Sequence, residues 1–323
     1  MSKPVYKYSE EGKFICKYQS TTQAARDLGF DESTIRKAAD SNKYSGGFLW
    51  KRHKVETNNA EPEYAGPRIL ILDIETSPCQ AFIFSTHVWK ATITPDKMIS
   101  DWFMLSWSAK WLEEGEVFSD RLSGEEAIDE NDERITLSLW NVIQKSDIVI
   151  CHNALGFDIP NIKTRFIIHG FPPPSTFKVI DTLQIARKEF GFTYNNLDSI
   201  AKHFGISQKI GTTFELWKKC IHGDDEALAE MEYYNKHDVE ILELVYLKLR
   251  PWVKSHANTS LYNDSKEKQC SHCNSTNLTI DKYFYTNTGK YPTYRCNECG
   301  AISRGRKTIL DRSKEILVSI PGR

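Results

Sequence analysis

The stretch Leu70–Thr76, LILDIET, limits what this chain can fold into more than any other. An unbroken apolar run, Ile69–Leu72, precedes it into Asp73. A strand that apolar is buried on both faces, so it needs a sheet with layers packed above and below. Side chains at i and i+2 share one face of a strand, which puts the Asp73 and Glu75 carboxylates roughly 7 Å apart. Like charges that close repel unless positive charge lies between them. The stretch is therefore either a solvated strand end or half of a cation site.

The residues that follow alternate between strand and helix patterns. WFMLSWSAKW is an apolar alternating run, as is AFIFSTHVW. ERITLSLWNVIQ reads as helix, DIVICHN as a buried strand, PNIKTRFIIHG as helix, and EALAEMEYYNKHDVEILELVYLKLR as one long helix. Strands first, then helices between and after, imply an α/β layered domain with a mixed sheet over 68–255.

Other acids fall where they can reach the first pair. Asp158 follows the DIVICHN strand at a helix start, and Tyr234 and Asp238 stand four residues apart on one helix face. Four carboxylates from three elements can converge on two divalent cations, and such hard oxygen ligands suit Mg²⁺ or Mn²⁺. A pair of these ions can clamp the attacking and leaving oxygens of phosphodiester cleavage. Each feature alone has a plainer account: Asp158 as the cap of a helix starting at Pro160, Asp73 and Glu75 as a solvated end. Asp181 and Asp198 each fall near a helix start and read as caps.

Taken in order, LDIET, HNALGFDIP and Tyr234-x-x-x-Asp238 resemble the three motifs of the DEDD 3′–5′ exonuclease superfamily, on a ribonuclease H-like fold. The tyrosine is similar to that of the tyrosine-type branch, which includes the proofreading domains of family B polymerases. The histidine branch has His five before the last aspartate, where this chain has Tyr233. The resemblance implies that Asp73, Glu75, Asp158 and Asp238 hold two metals and that Tyr234 orients the attacking water. It further implies that Ile74 and Thr76 touch the terminal nucleotide and that Asn153 and Phe157 line the substrate strand. His237 falls on another helix face and reads as structural.

Two smaller segments flank this one. KVETNNAEPEYAGP has no apolar period and reads as a linker over 55–67, behind a first domain at 1–54. That domain pairs a hairpin signal around a Glu-Gly turn with two short capped helices and a closing strand. Helix, Gly-containing turn and second helix form a helix-turn-helix pattern, in which Ser33, Thr34, Arg36 and Lys37 would face base edges. Residues 3–52 resemble the nuclease-associated modular DNA-binding domains appended to homing endonucleases, down to the ending Gly47-Phe48-Leu49-Trp50.

At the other end, Cys270-x-x-Cys273 and Cys296-x-x-Cys299 are two knuckles around a strand–turn–strand pattern. Four thiolates at this spacing suit one tetrahedral Zn²⁺, which substitutes for the core so short a segment lacks. The segment 263–323 resembles a zinc ribbon. Its arms interleave Tyr283, Phe284, Tyr285, Tyr291 and Tyr294 with Lys282, Lys290 and Arg295, a composition suited to single-stranded nucleic acid.

Charge supports that division. Residues 1–54 carry a net +5 and residues 263–323 the same, leaving −11 on 55–262. Basic ends attract a polyanion, while an acidic centre holds cations. No run of about 18 apolar residues exists for a membrane span, and the polar N-terminus has no signal-peptide pattern. The expectation is thus a cytoplasmic, phage- or mobile-element-encoded 3′–5′ exonuclease. It would use two Mg²⁺ or Mn²⁺ and one Zn²⁺, and act on DNA, at single strands or 3′ ends, ahead of RNA. A targeted endonuclease and a non-catalytic DNA-binding regulator are the rival readings.

Overall fold

Ser20 opens the first helix by accepting the Gln23 N–H, and Gly29, at φ 69°, closes it in the left-handed region that glycine adopts without strain. The computed structural model describes residues 3–9, 14–41, 43–52, 66–84, 93–206, 211–311 and 313–319. Within it the chain divides into two units, Met1–Glu63 and Tyr64–Arg323.

In the first unit, β1 (Val5–Tyr8), β2 (Phe14–Tyr18), α1 (Thr21–Leu28), α2 (Glu32–Ser41), β3 (Tyr44–Ser45) and β4 (Phe48–Lys51) follow in order. The strands form an antiparallel sheet ordered β2-β1-β4-β3. Val5, Ala24, Ile35 and Trp50 share its core, and the Trp50 indole N–H is satisfied by the Ser45 carbonyl at 3.0 Å. The Glu-Gly turn expected between β1 and β2 lies outside the described residues. Gly46 has φ 59°, in the left-handed region that glycine adopts without strain.

The second unit begins with β5 (Ile69–Thr76), then β6 (Gln80–Ala81), β7 (Met98–Ser100), β8 (Met104–Trp111) and β9 (Phe118–Arg121). Next come α3 (Gly124–Ile128), α4 (Glu133–Ile143), β10 (Ile148–Cys151), α5 (Asp158–Ile168), β11 (Lys178–Asp181) and α6 (Thr182–Glu189). The helices α7 (Leu197–His203), α8 (Phe214–Ile221) and α9 (Asp225–Leu249) follow, and β12 (Leu278–Tyr285), β13 (Lys290–Cys296) and β14 (Ile302–Arg304) close the unit. Of the AFIFSTHVW run only Ala81 is in a strand, and residues 85–92 lie outside the described part.

The main sheet is mixed, ordered β11-β10-β5-β8-β9. β10 runs parallel to β5 and β11, while β8 is antiparallel to both β5 and β9. Alternation along β5 divides the core in two. Leu70, Leu72 and Ile74 pack with α4 and α5 residues such as Ile135, Leu139 and Ile162. Ile69 and Ile71 pack with Val239, Leu242 and Val245 of α9. Asp73 and Glu75 continue that second row, so the acids emerge on the face α9 covers.

A buried ion cluster sets the angle of α5. Asp132, wholly buried, accepts from Arg165 on α5 and pairs with His169 just past its end, while its other oxygen accepts the Met104 N–H of β8 at 2.7 Å. A buried carboxylate is tolerated only when so satisfied.

The cysteine segment forms a three-stranded antiparallel sheet, β12-β13-β14, and belongs to the same unit as the main sheet. It docks on the chain just beyond α9. His272 Nε2 lies 3.0 Å from the Val253 carbonyl, and the His272 ring stacks on His256 at 4.5 Å. His256 Nε2 in turn lies 2.7 Å from the Tyr246 hydroxyl on α9.

Candidate metal centre

Two elements deliver three acids to one point. Asp73 and Glu75 leave the end of β5, and Asp238 lies near the middle of α9. One oxygen from each of these carboxylates falls within 4.8 Å of the other two. Three carboxylates so close repel one another, and a bound cation would offset that repulsion. Asp238 is 2% exposed, so water screens it little.

Asp158 stands beside this trio rather than inside it. It is the first residue of α5, is 1% exposed, and neither carboxylate oxygen makes a hydrogen bond of good geometry. Its side chain is therefore not spent capping the helix, in contrast to the plain N-cap reading. Burial, then the Asp73 charge, push its carboxyl well above the usual carboxylate range, against a weaker opposing pull from its own and the Ile74 N–H groups. A buried carboxyl that feels the Asp73 charge fits a divalent cation with oxygen ligands.

Tyr234 sits one turn before Asp238, 8% exposed, its ring set edge-on against Trp217 of α8 at 6.5 Å. Thr76 and Asn153 are half-buried and Phe157 is 37% exposed, so these side chains remain within reach of a ligand. Ile74 is different. Its side chain is 2% exposed in the core, on the face opposite the acids, so only its backbone can meet a nucleotide.

Several contributors were not apparent in the sequence. Asn235 is fully buried, and its Nδ2 donates to Asp73 Oδ2 at 2.6 Å. Its Oδ1 lies 3.5 Å from Ser106 Oγ on β8. Ser106 and Ser108 are both fully buried and pair across the ladder with Glu75 and Asp73. The only sequence signal for Asn235 is its spacing, three before Asp238 on the same helix side.

Asp181 caps α6, as its position implies, but it does more. Its Oδ1 accepts N–H groups from Asn153, Leu183 and Gln184, and its Oδ2 accepts the Leu155 N–H. It thereby ties the loop leading to Asp158 onto the start of α6. That loop is turned by Asn153 at φ 75°, a conformation asparagine tolerates better than most residues. Asp198 is no cap. Asn196 accepts the Ser199 N–H in that role, and Asp198 pairs with Lys202 at 2.8 Å. His237 lies 3.6 Å from Glu240 along α9.

The second cluster is Cys270, Cys273, Cys296 and Cys299, all within 4.8 Å of one another and all free thiols. Cys270 Sγ and Cys299 Sγ are 3.6 Å apart, as are Cys273 Sγ and Cys296 Sγ. A tetrahedron with zinc–sulfur bonds of about 2.3 Å has edges of about 3.8 Å, whereas a disulfide needs about 2.0 Å. The sulfur set fits zinc.

In the first unit, Thr34, Arg36 and Lys37 are exposed on α2 and Ser33 is half-buried. Ser33 donates to Asp31, whose carboxylate also accepts the Thr34 N–H at 3.1 Å. These bonds hold the Asp31 carboxyl below its usual range, the Ser33 hydroxyl contributing most.

Comparison with known proteins places this geometry. Residues 113–250 match the model of the RNase H superfamily, a span that includes Asp158, Tyr234 and Asp238. The central domain is ribonuclease H-like. Residues 3–39 match the NUMOD1 domain, so a NUMOD1 DNA-binding domain precedes the ribonuclease H-like one. A stretch of 51 residues is 45% identical to the "Probable mobile endonuclease B" of Enterobacteria phage T4. That match covers 15% of this chain and 19% of the relative, so the chain spans under a fifth of that protein's length. Among solved structures, the family B DNA polymerase of the archaeon Pyrobaculum calidifontis is similar over 57% of this chain and 25% of its own, at 16% identity and a TM-score of 0.41. Among the described residues, no helix is long and apolar enough to cross a membrane.

Proposed function

We propose that the ribonuclease H-like domain is a metal-dependent 3′–5′ exonuclease acting on DNA. The observation that carries this reading is the meeting of Asp73, Glu75 and Asp238 within 4.8 Å, with the unsatisfied Asp158 beside them. These four acids would hold two Mg²⁺ or Mn²⁺, which supply charge stabilisation at the phosphate and an acidified water. Asn235 fixes the Asp73 carboxylate, and Asp181 fixes the loop that carries Asp158. Tyr234 aims the water, since a phenol with a pKa of about 10 is a poor base. Phe157 and Asn153 would line the incoming strand. The four cysteines would hold one Zn²⁺, and the NUMOD1 domain would bring the enzyme to duplex DNA through Arg36 and Lys37. A cytoplasmic protein carried by a phage or mobile element agrees with this assignment.

A second reading, a targeted endonuclease, is favoured by the NUMOD1 match and the phage relative described as a mobile endonuclease. Incubation with 5′-labelled DNA in Mn²⁺ separates the two. The exonuclease gives a ladder shortening from the 3′ end that EDTA abolishes. A single discrete internal product refutes it in favour of the endonuclease, and no cleavage refutes both.

A further inference from the structure

β12 and β13 place their side chains in two rows. Register sets Phe284 opposite Tyr291 and Tyr285 opposite Lys290, so Phe284 and Tyr285 point to opposite faces. The Phe284 face also carries Thr293, Arg295 and Arg304, and it looks onto the segment just beyond α9. Between the two lies a groove of about 880 Å³, lined by Trp252 and Lys254 on one wall and by Phe284, Arg295, Ile302 and Arg304 on the other.

Three properties set this groove apart from an ordinary crevice. Among the described residues no carboxylate lines it, although three cations do. Lys254 and Arg295 have acidic partners outside it, Glu189 and Asp281, whereas the Arg304 guanidinium lies over the rings of Phe284 and Tyr291 at 5.3 and 4.7 Å. Its aromatic walls are open, with Trp252 63% and Phe284 46% exposed. Lastly, it continues toward the acids. Val253 and Lys254 also line a smaller cleft of about 230 Å³ whose far wall includes Leu155 and Asp181, in and under the loop that carries Asp158.

We infer that this groove and the adjoining cleft are a track for single-stranded DNA, holding the strand upstream of the end that lies in the acid cluster. The inference rests on the exonuclease reading for its direction, but its chemistry is independent. Unpaired bases stack on Trp252 and Phe284, and Arg295, Arg304 and Lys254 meet the phosphates. A duplex has no exposed base faces to offer these rings. From Asp238 to the end of α9 is a rise of about 17 Å, on the order of five nucleotides of stacked strand at 3.4 Å each.

The test measures binding of a labelled oligothymidylate to the full chain without added Mg²⁺ or Mn²⁺, by fluorescence anisotropy. Phe284→Ala should weaken binding at least about five-fold, the lower bound for losing one stacked base. Arg304→Ala should lower the slope of log Kd against log salt by about 0.7, one phosphate's share for a single strand. Tyr285→Ala, on the opposite face, should bind within about twofold of the parent. Zinc content and circular dichroism, unchanged in all, exclude misfolding. Equal affinity of the Phe284 and Arg304 variants with the parent overturns the track, as does equal loss in the Tyr285 variant. A parent that binds through these residues but hydrolyses nothing in Mn²⁺ refutes the exonuclease and leaves the track standing.

Discussion

Asn235 Nδ2 donates a hydrogen bond to Asp73 Oδ2 at 2.6 Å, joining residues 162 positions apart in the chain. The bond fixes one acid of the cluster without adding charge. Asn235→Ala frees Asp73 to rotate and leaves the other three acids in place. Losing such an outer-shell partner typically costs about 10- to 100-fold in metal affinity or activity. A titration of nuclease activity with Mn²⁺ should show the midpoint moving up by about that factor, with partial recovery of rate at high metal.

Asp181 gives a different signature, because four backbone N–H groups depend on it. Asp181→Ala strips those donors of their acceptor in a buried place, at a cost of about 2 kcal/mol or more. Both the melting temperature and the exonuclease rate should fall. Asp181→Asn keeps one acceptor oxygen and should fall between the two. An unchanged rate in the alanine variant would show that the Asp158 loop does not need this anchor.

Tyr234→Phe keeps the ring against Trp217 and removes only the hydroxyl. The expected result is a drop of about 100-fold in kcat, the bottom of the range for a group that assists proton movement. The Mn²⁺ midpoint and the melting temperature should not change, which distinguishes it from Asn235→Ala.

The ribbon should report its own metal. Elemental analysis of the purified chain should find about one zinc, as four sulfur ligands require. The double variant Cys296→Ser, Cys299→Ser should hold none. Because His272 lies between the first two cysteines and contacts Val253 and His256, zinc loss should also lower the melting temperature of the whole second unit.

His256 makes stability depend on pH. Burial, aided by neighbouring His272 and Arg250, lowers its pKa to about 4 against an ordinary 6.5. Folded protein therefore holds it neutral while the unfolded chain protonates, so the unfolded state binds more protons between those values. Stability is complete above pH 6.5 and is lost as the pH falls toward 4. The urea midpoint of His256→Gln, compared with the parent at fixed zinc, should decline less steeply over that window.

Much of this arrangement is legible in sequence because it follows local rules. The alternation of β5 aims Asp73 and Glu75 together, and i,i+4 spacing aligns Tyr234 with Asp238. The two Cys-x-x-Cys knuckles announce a four-sulfur site. What escapes the sequence depends on tertiary pairing. Asn235 and Ser106 look like any polar residues until α9 crosses β8. Asp181 reads as a simple cap until the Asn153 turn is seen above it. Ile74 reads as part of a contact motif, yet strand alternation that exposes its neighbours buries it. Asp158 reads equally well as a cap, and only its burial, with no hydrogen bond of good geometry to its oxygens, shows otherwise.

The most direct test of the central claim compares one single-stranded DNA in linear and circular form, incubated with the full chain in Mn²⁺. An enzyme that works from a 3′ end should degrade the linear molecule to mononucleotides and leave the circle intact. EDTA, or Asp73→Ala or Asp238→Ala, should stop the reaction. Opening of the circle at a rate similar to loss of the linear strand, or full activity in either aspartate variant, would contradict the account.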